Sequence, residues 1–428
     1  MSSFSNPRIA LALSGGGFRA ALFHLGVIRR LSELGWLRQV DVISTVSGGS
    51  VLGAFMALRW VQLESAGADW NAFEWRIAKP FLNLVENHNF IRDWLMRLPK
   101  VPVRKLFDGA YTRTKLAAEI FSRRFYENKT CADLPERPYL IMNATSLASI
   151  RAWRFTRKGM GDSRIGHAAW GAKPVSLGDA VGASAAFPPV FPPARISRAG
   201  YTFGTPIYGE PPIPDHPIIP LSDGGVYDNL GVEVVWKKSV LPGEAEQMDV
   251  PRFLVVSDAG YPAQFRFRAS GIPGLAEGLL LYRADSIARE QVSALRRREL
   301  VRDFADPQAP RKGLLVPLGS HLGKIPGGGD RVYSSRVGTQ YRIPDQLVQR
   351  IQKVRTSMDQ FSAVESEALM YHAYTMTDAF LWAHRETCPV DYRVPAEPNP
   401  SWRIEFTDLK IRQWQNGLTR SERGRILS

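Results

Sequence analysis

Apolar and polar positions along the first sixty residues switch between two periods. Residues 9–13 form an unbroken apolar run, and residues 40–46 a mixed one with Val40, Val42, Ile43 and Val46 as its apolar members; both are short and end at glycine-rich turns, as buried strands do. After each turn the apolar side chains recur at helical spacing. Residues 8–58 therefore predict strand, turn, helix, strand, turn, helix. A right-handed crossover makes the two strands parallel and brings both turns to one edge of the sheet. Residues 50–66 and 114–125 predict helices, and 139–145 predicts a short strand pairing with 151–157 as a hairpin. Residues 177–186 read as a small-residue helix stopped by the pairs Pro188-Pro189 and Pro192-Pro193. Strands follow at 253–258 and 314–318, and two helices within 343–384. Residues 279–304 predict a long amphipathic helix with Ile287, Ala288, Val292 and Leu295 on one side and Arg296, Arg297 and Arg298 on the other.

Two segments depart from this alternation. Residues 70–105 are rich in aromatics and broken by prolines; packing over the sheet is the expectation, and rest on a membrane surface the competing reading. Residues 197–222 are rich in proline and glycine without periodicity, so they predict a long loop, a lid over an active site. Alternation ends near residue 390, which predicts one α/β domain over 8–390 and a short tail over 391–428, with no internal repeat.

A chain of 428 residues, 44% hydrophobic and 22% charged, buries a sizeable core. The formal net charge of +14 favours anionic headgroups, nucleic acid or acidic substrates. The arginines are scattered and no nucleic-acid motif accompanies them, so nucleic acid is not an expected partner. Two cysteines, Cys131 and Cys388, make neither a disulfide framework nor a metal site. The N-terminus lacks a signal-peptide pattern, and no apolar run approaches the ~18 residues of a membrane span. The expectation is a soluble, cytoplasmic protein that needs no cofactor or metal and touches membranes peripherally.

Ser47, in Thr45-Val46-Ser47-Gly48-Gly49-Ser50, has the setting of a nucleophile elbow between strand and helix, as well as that of a simple helix cap. Gly15, Gly16 and Gly17 offer successive amides at a helix N-terminus, fit to hold an oxyanion. Gly15, Gly17 and Ala20 also fit a dinucleotide fingerprint, but the next strand ends in Thr45, Val46 and Ser47 without the acidic residue that reading needs. Arg19 braces the turn or attracts an anionic headgroup. Asp223, in Asp223-Gly224-Gly225, is the candidate base, or the first residue of a turn. A triad would add a histidine, and His321, just past the last apolar strand, stands where one is placed. Spacing leaves dyad and triad both open.

Taken together these residues resemble the patatin-like phospholipases. Gly15-Gly16-Gly17-Phe18-Arg19 is similar to the family's oxyanion loop, Val46-Ser47-Gly48-Gly49-Ser50 to its serine elbow, and Asp223-Gly224-Gly225 to its aspartate motif. The runs 183–189 and 143–145 are similar too, so the resemblance covers about residues 8–385. It implies a three-layer α/β/α sandwich with a mainly parallel central sheet. It further implies a Ser47–Asp223 dyad with His321 incidental, an oxyanion hole of Gly15, Gly16 and Gly17, and supporting roles for Arg19, Gly49, Gly224 and Gly225. The implied activity is lipid acyl hydrolysis of the phospholipase A or lysophospholipase type on phospholipid or lysophospholipid, with transient contact to an anionic membrane surface. A carboxylesterase triad and a silent lipid-binding protein of the same fold are the alternatives. Thr45 stands where the elbow usually has glycine, and Ala20 where the oxyanion loop often ends in glycine.

Overall fold

The computed structural model describes residues 8–423 apart from 210, 212, 215, 245, 261–274, 326–328 and 386–397. Cys388 and the boundary expected near residue 390 lie outside the described residues.

The strands are β1 (Ile9–Leu13), β2 (Val40–Val46), β3 (Tyr139–Ser146), β4 (Arg151–Phe155), β5 (Gly159–Asp162), β6 (Gly166–Ala169), β7 (Ala194–Ser197), β8 (Ile218–Asp223), β9 (Ser239–Val240), β10 (Gln247–Met248), β11 (Phe253–Asp258) and β12 (Gly313–Pro317). β9 and β10 pair only with each other; the other ten form one mixed sheet in the order β12-β11-β1-β2-β3-β4-β5-β6, with β8 joining β3 and β7 joining β8. From β12 to β3 the neighbours are parallel, and from β3 to β6 antiparallel. The helices used below are α1 (Gly17–Glu33), α2 (Gly48–Leu58), α3 (Phe90–Arg97), α4 (Lys100–Phe107), α5 (Arg113–Phe125), α6 (Leu177–Ser184), α7 (Leu275–Ala305), α8 (Asp345–Gln352), α9 (Ala363–Ala383) and α10 (Asp408–Arg423).

Successive strand residues point to opposite faces of the sheet, so one strand feeds two cores. Ile9, Leu11 and Leu13 join the larger core with Leu22, Leu25, Phe55 and Leu369 from α1, α2 and α9. Ala10 and Ala12 join a second core with Leu254, Val256, Leu300 and Phe304. The result is a mainly parallel sheet between two helical layers. α1 is tied to α9 by Arg30 and Asp378, both wholly buried, at 2.8 Å; removing either partner strands a buried charge.

Four segments refine the reading of the sequence. The predicted loop at 197–222 is too long, because β7 and β8 pair as a hairpin across 194–197 and 218–221. Pro220 hides β8 in the sequence, and it sits at the sheet margin where a missing donor is tolerated. The connection between β7 and β8 is fastened to β6 by the Gly204 amide on His167 O (3.0 Å) and to β4 by Phe203 against Trp153. The aromatic stretch splits: Phe73, Ile77, Phe81, Val85, Phe90 and Trp94 pack into the core, whereas α4 buries nothing. α7 has its apolar side outward, with Ile287 51% and Leu295 58% exposed. Its arginines turn inward, Arg297 to Asp258 (2.6 Å) and Arg296 to Glu233 (3.1 Å), because a buried carboxylate such as Asp258 needs a cation more than Leu295 needs cover. Past residue 397, α10 packs on the core through fully buried Trp414 and Leu418.

Candidate active site

Register alone brings the serine and the aspartate together. β2 pairs with β3 up to Val46 opposite Asn143, and the next β3 residue, Ala144, is opposite Asp223, the last residue of β8. β4 already occupies the other edge of β3 along 142–146, so β8 lies on the β2 edge. The two strands run toward each other and meet end to end. Ser47 lies across that junction from Asp223, and its hydroxyl favours the ionised form of the Asp223 carboxyl.

Ser47 has φ 50° and ψ −117°, a conformation strained for any residue with a Cβ and typical of a sharp strand-to-helix turn. Ser184 Oγ at the end of α6 accepts the Ser47 amide at 3.0 Å and donates to Asn143 O at 2.6 Å. Thr45 does not distort the elbow. Its hydroxyl donates to Ile141 O (3.1 Å) and accepts from Ser50 (2.9 Å), while Gly53 leaves room for its methyl group. Gly48 allows the two turns to touch: a Cβ there would lie 2.0 Å from Gly17 O.

The first turn is anchored from the opposite side of the sheet. The Ser14 amide donates to Ser257 O (3.1 Å), the Ala259 amide to Ser14 Oγ (2.8 Å), and the Gly15 amide to Asn229 O (3.0 Å). Gly16 and Gly17 have φ 137° and 59°, and a Cβ on Gly17 would lie 1.6 Å from Thr356 O, so only glycine fits there. The Gly16 and Gly17 amides have no hydrogen-bond partner among the described residues. Arg19 is a brace, its guanidinium donating to Val354 O and Ala259 O, both at 3.0 Å. Beneath the turn, buried His24 bonds Ser14 O through Nε2 (2.9 Å) and Ser257 Oγ through Nδ1 (2.6 Å). A carbonyl only accepts, so Nε2 carries the proton and Nδ1 accepts from Ser257. Burial pushes the His24 pKa down to about 4, keeping the ring neutral.

Burial raises the Asp223 pKa from 3.8 to about 6, against the opposing pull of the Gly225 amide, the Ser47 hydroxyl and Arg289. The Gly225 amide donates to Asp223 Oδ1 at 2.7 Å, and the Gly224 amide to Ser184 O at 3.1 Å. Gly49 lies against Leu13, where a Cβ would come 2.4 Å from the carbonyl. Arg289 reaches in from α7 over the Phe187 ring, 4.7 Å from its centroid. The turn after Asp223 thus shares its support with the elbow, because Ser184 serves both.

His321 stands apart. It follows β12, three strands from β2, so strand spacing alone separates them by about 14 Å. Among the described residues no histidine bonds Ser47 or Asp223, and no group of three or more His, Cys, Asp or Glu is placed to hold a metal ion. Three supports were not legible as such in the sequence: Ser184, Asn229 and Arg289. Only Ser184 carried a signal, as the polar residue in an otherwise small apolar run.

The family model described as patatin-like phospholipase matches residues 11–236, a stretch that contains both turns and Asp223. No curated protein matches the sequence. Among solved structures, human GIVD cytosolic phospholipase A2 aligns with a TM-score of 0.50 at 13% identity, over 89% of this chain and 60% of that one. The same human enzyme in complex with methyl gamma-linolenyl fluorophosphonate aligns at 0.47 and 14% identity, over 90% and 60%. VipD from Legionella pneumophila aligns at 0.27 and 15% identity, over 58% and 50%. The chain spans about 60% of the length of the human enzyme and shares its fold. With more than half of its 428 residues matched to the family model, the chain belongs to the patatin-like phospholipase family.

Proposed function

We propose that the chain is a lipid acyl hydrolase of the phospholipase A or lysophospholipase type, acting through a Ser47–Asp223 dyad. The observation that supports this reading is the end-to-end meeting of β2 and β8, whose last residues bring Ser47 and Asp223 to one junction. Asp223 takes the proton as Ser47 Oγ attacks the ester carbonyl of a phospholipid or lysophospholipid. The tetrahedral oxyanion is held by the Gly16 and Gly17 amides at the N-terminus of α1. Gly15, whose amide already donates to Asn229, holds the turn in place. Protonated Asp223 returns the proton to the departing alkoxide, leaving an acyl group on Ser47. Asp223 then deprotonates water, which releases the fatty acid and regenerates the serine. A base near pKa 6 suits this two-way traffic, being ionised at neutral pH yet easily protonated. The separation of His321 from Ser47 argues against a triad carboxylesterase.

The test is fatty acid release from mixed phospholipid vesicles by wild type, Ser47→Ala and Asp223→Ala. The dyad requires release by wild type and loss in both folded variants. Release that survives Asp223→Ala assigns the base elsewhere, and a His321→Ala variant then decides for or against the triad.

A further inference from the structure

α3 and α4 form a nearly continuous rod, bridged by the Leu98 amide on Leu95 O (3.2 Å) and the Val101 amide on Leu98 O (2.9 Å). Its inner side is anchored. Phe90 and Trp94 are buried, and Trp94 Nε1 donates to Arg113 O at 3.0 Å. Its outer side carries Met96, Val103, Leu106 and Phe107, the last two 83% and 89% exposed. Val103, Leu106 and Phe107 share one face at helical spacing. Side chains of that size standing almost wholly in water mark a contact surface.

The charge on the rod says what kind. Residues 90–107 hold five basic side chains and one acid, Asp93, which is paired with Arg124. Arg104 pairs with Glu119 of α5, but Arg92, Arg97, Lys100 and Lys105 form no ion pair among the described residues. Exposed apolar side chains flanked by unpaired cations fit a surface that is negative above and hydrocarbon below, which is the anionic bilayer interface. The exposed stripe of α7 lacks this match, since Asp285, Glu290 and Glu299 interrupt it.

The rod also adjoins the site. Trp94 packs on Phe191, 5.0 Å between ring centroids, and Val190 beside it is exposed. Four residues back, Ala186 O accepts the Asp223 amide at 3.1 Å, so Val190 lies at most about 14 Å along the chain from that support. At the other end, Gly109 O accepts from Arg195 of β7, opposite Pro220 and three residues short of Asp223.

We propose that the outer face of α3–α4 docks this protein on an anionic phospholipid surface. Met96, Val103, Leu106 and Phe107 enter the interface, and Arg92, Arg97, Lys100 and Lys105 contact the headgroups. The purpose of the docking rests on the lipid-hydrolase reading; its geometry does not.

The test is co-sedimentation of the full chain with vesicles of phosphatidylcholine alone or mixed with phosphatidylserine. Leu106→Ser with Phe107→Ser should weaken binding to the mixed vesicles by about tenfold or more. Melting temperature and hydrolysis of a soluble short-chain ester should stay at wild-type levels. Lys100→Glu with Lys105→Glu should abolish the preference for the anionic vesicles. Wild-type binding by the Leu106/Phe107 variant, or loss of binding in a Leu281→Ser, Ile287→Ser variant of α7 instead, would overturn the assignment. Ser47→Ala must bind as wild type does. Vesicle binding without fatty acid release refutes the catalytic reading and leaves the docking face standing; release from soluble esters without vesicle binding does the reverse.

Discussion

The two turns at the heart of the site are written alike and held differently. Each is a serine-and-glycine turn between a parallel strand and a buried helix, and the two touch where Gly48 meets Gly17. The first is fastened toward β11 and the C-terminal half, by Ser257, Ala259, Asn229, Val354 and the loop at Thr356. The second is fastened toward β3 and α6, by Asn143, Ile141 and Ser184. In the proposed mechanism the donor side and the nucleophile side are therefore set by separate parts of the fold. They also carry titrating groups of opposite sense. Neutral His24 under the first turn resists protonation, and Asp223 beside the second resists ionisation.

The sharpest separation of the two sides is chemical. Ser47→Ala and Asp223→Asn should each reduce kcat by about a thousandfold or more while the fold persists, read as fatty acid release beside circular dichroism. Asp223→Asn should also stabilise. The folded carboxyl titrates near 6 and the unfolded one near 3.8, so folding favours the proton, and stability falls as pH rises through that window. Denaturant melts at pH 8 should show a gain on the order of 2 kcal/mol for the asparagine variant, and little gain below pH 4.

Gly17→Ala attacks the first turn through its backbone and should cost about 3 kcal/mol or more, since the new methyl group meets Thr356 O; urea midpoints report it. Ser184→Ala attacks the second through its anchor. It should lower kcat about tenfold and cost roughly 1–2 kcal/mol, because the Ser47 amide loses its acceptor. A stability loss with unchanged kcat would show that the elbow holds its shape without α6.

The smallest effect belongs to His24→Leu, which keeps most of the volume and orphans Ser14 O and Ser257 Oγ. It should cost about 1–2 kcal/mol with little change in kcat at neutral pH. Wild-type stability should fall as pH drops from about 6.5 toward 4, because the unfolded imidazole gains its proton first, and the leucine variant should lose that part of the slope.

What the sequence made plain was local. Both turns, their strands and helices, the hairpin of β3 with β4 and the aspartate-glycine-glycine turn follow from periodicity and glycine placement, and the strands and helices form as that pattern predicts. What it hid was set by partners far along the chain. Pro220 masked β8, so the meeting of β8 with β2 could not be read from either strand alone. The helical period of α7 was legible, but not which side faces in, because that depends on carboxylates at Asp228, Glu233 and Asp258. The charge of Arg289, 66 residues downstream (289 − 223), bears on Asp223 with no pattern to announce it. Gly15 shows the same limit: three glycines suggest three donors, and only the fold commits one of them to Asn229.

The dyad is tested most directly by the rate at which a fluorophosphonate labels the protein as a function of pH, with the adduct located by mass spectrometry. A single adduct on Ser47 is expected, its rate rising through about pH 6 and then levelling, and falling by orders of magnitude in Asp223→Asn. An adduct on another residue, or an Asp223→Asn variant labelled at the wild-type rate, would contradict it.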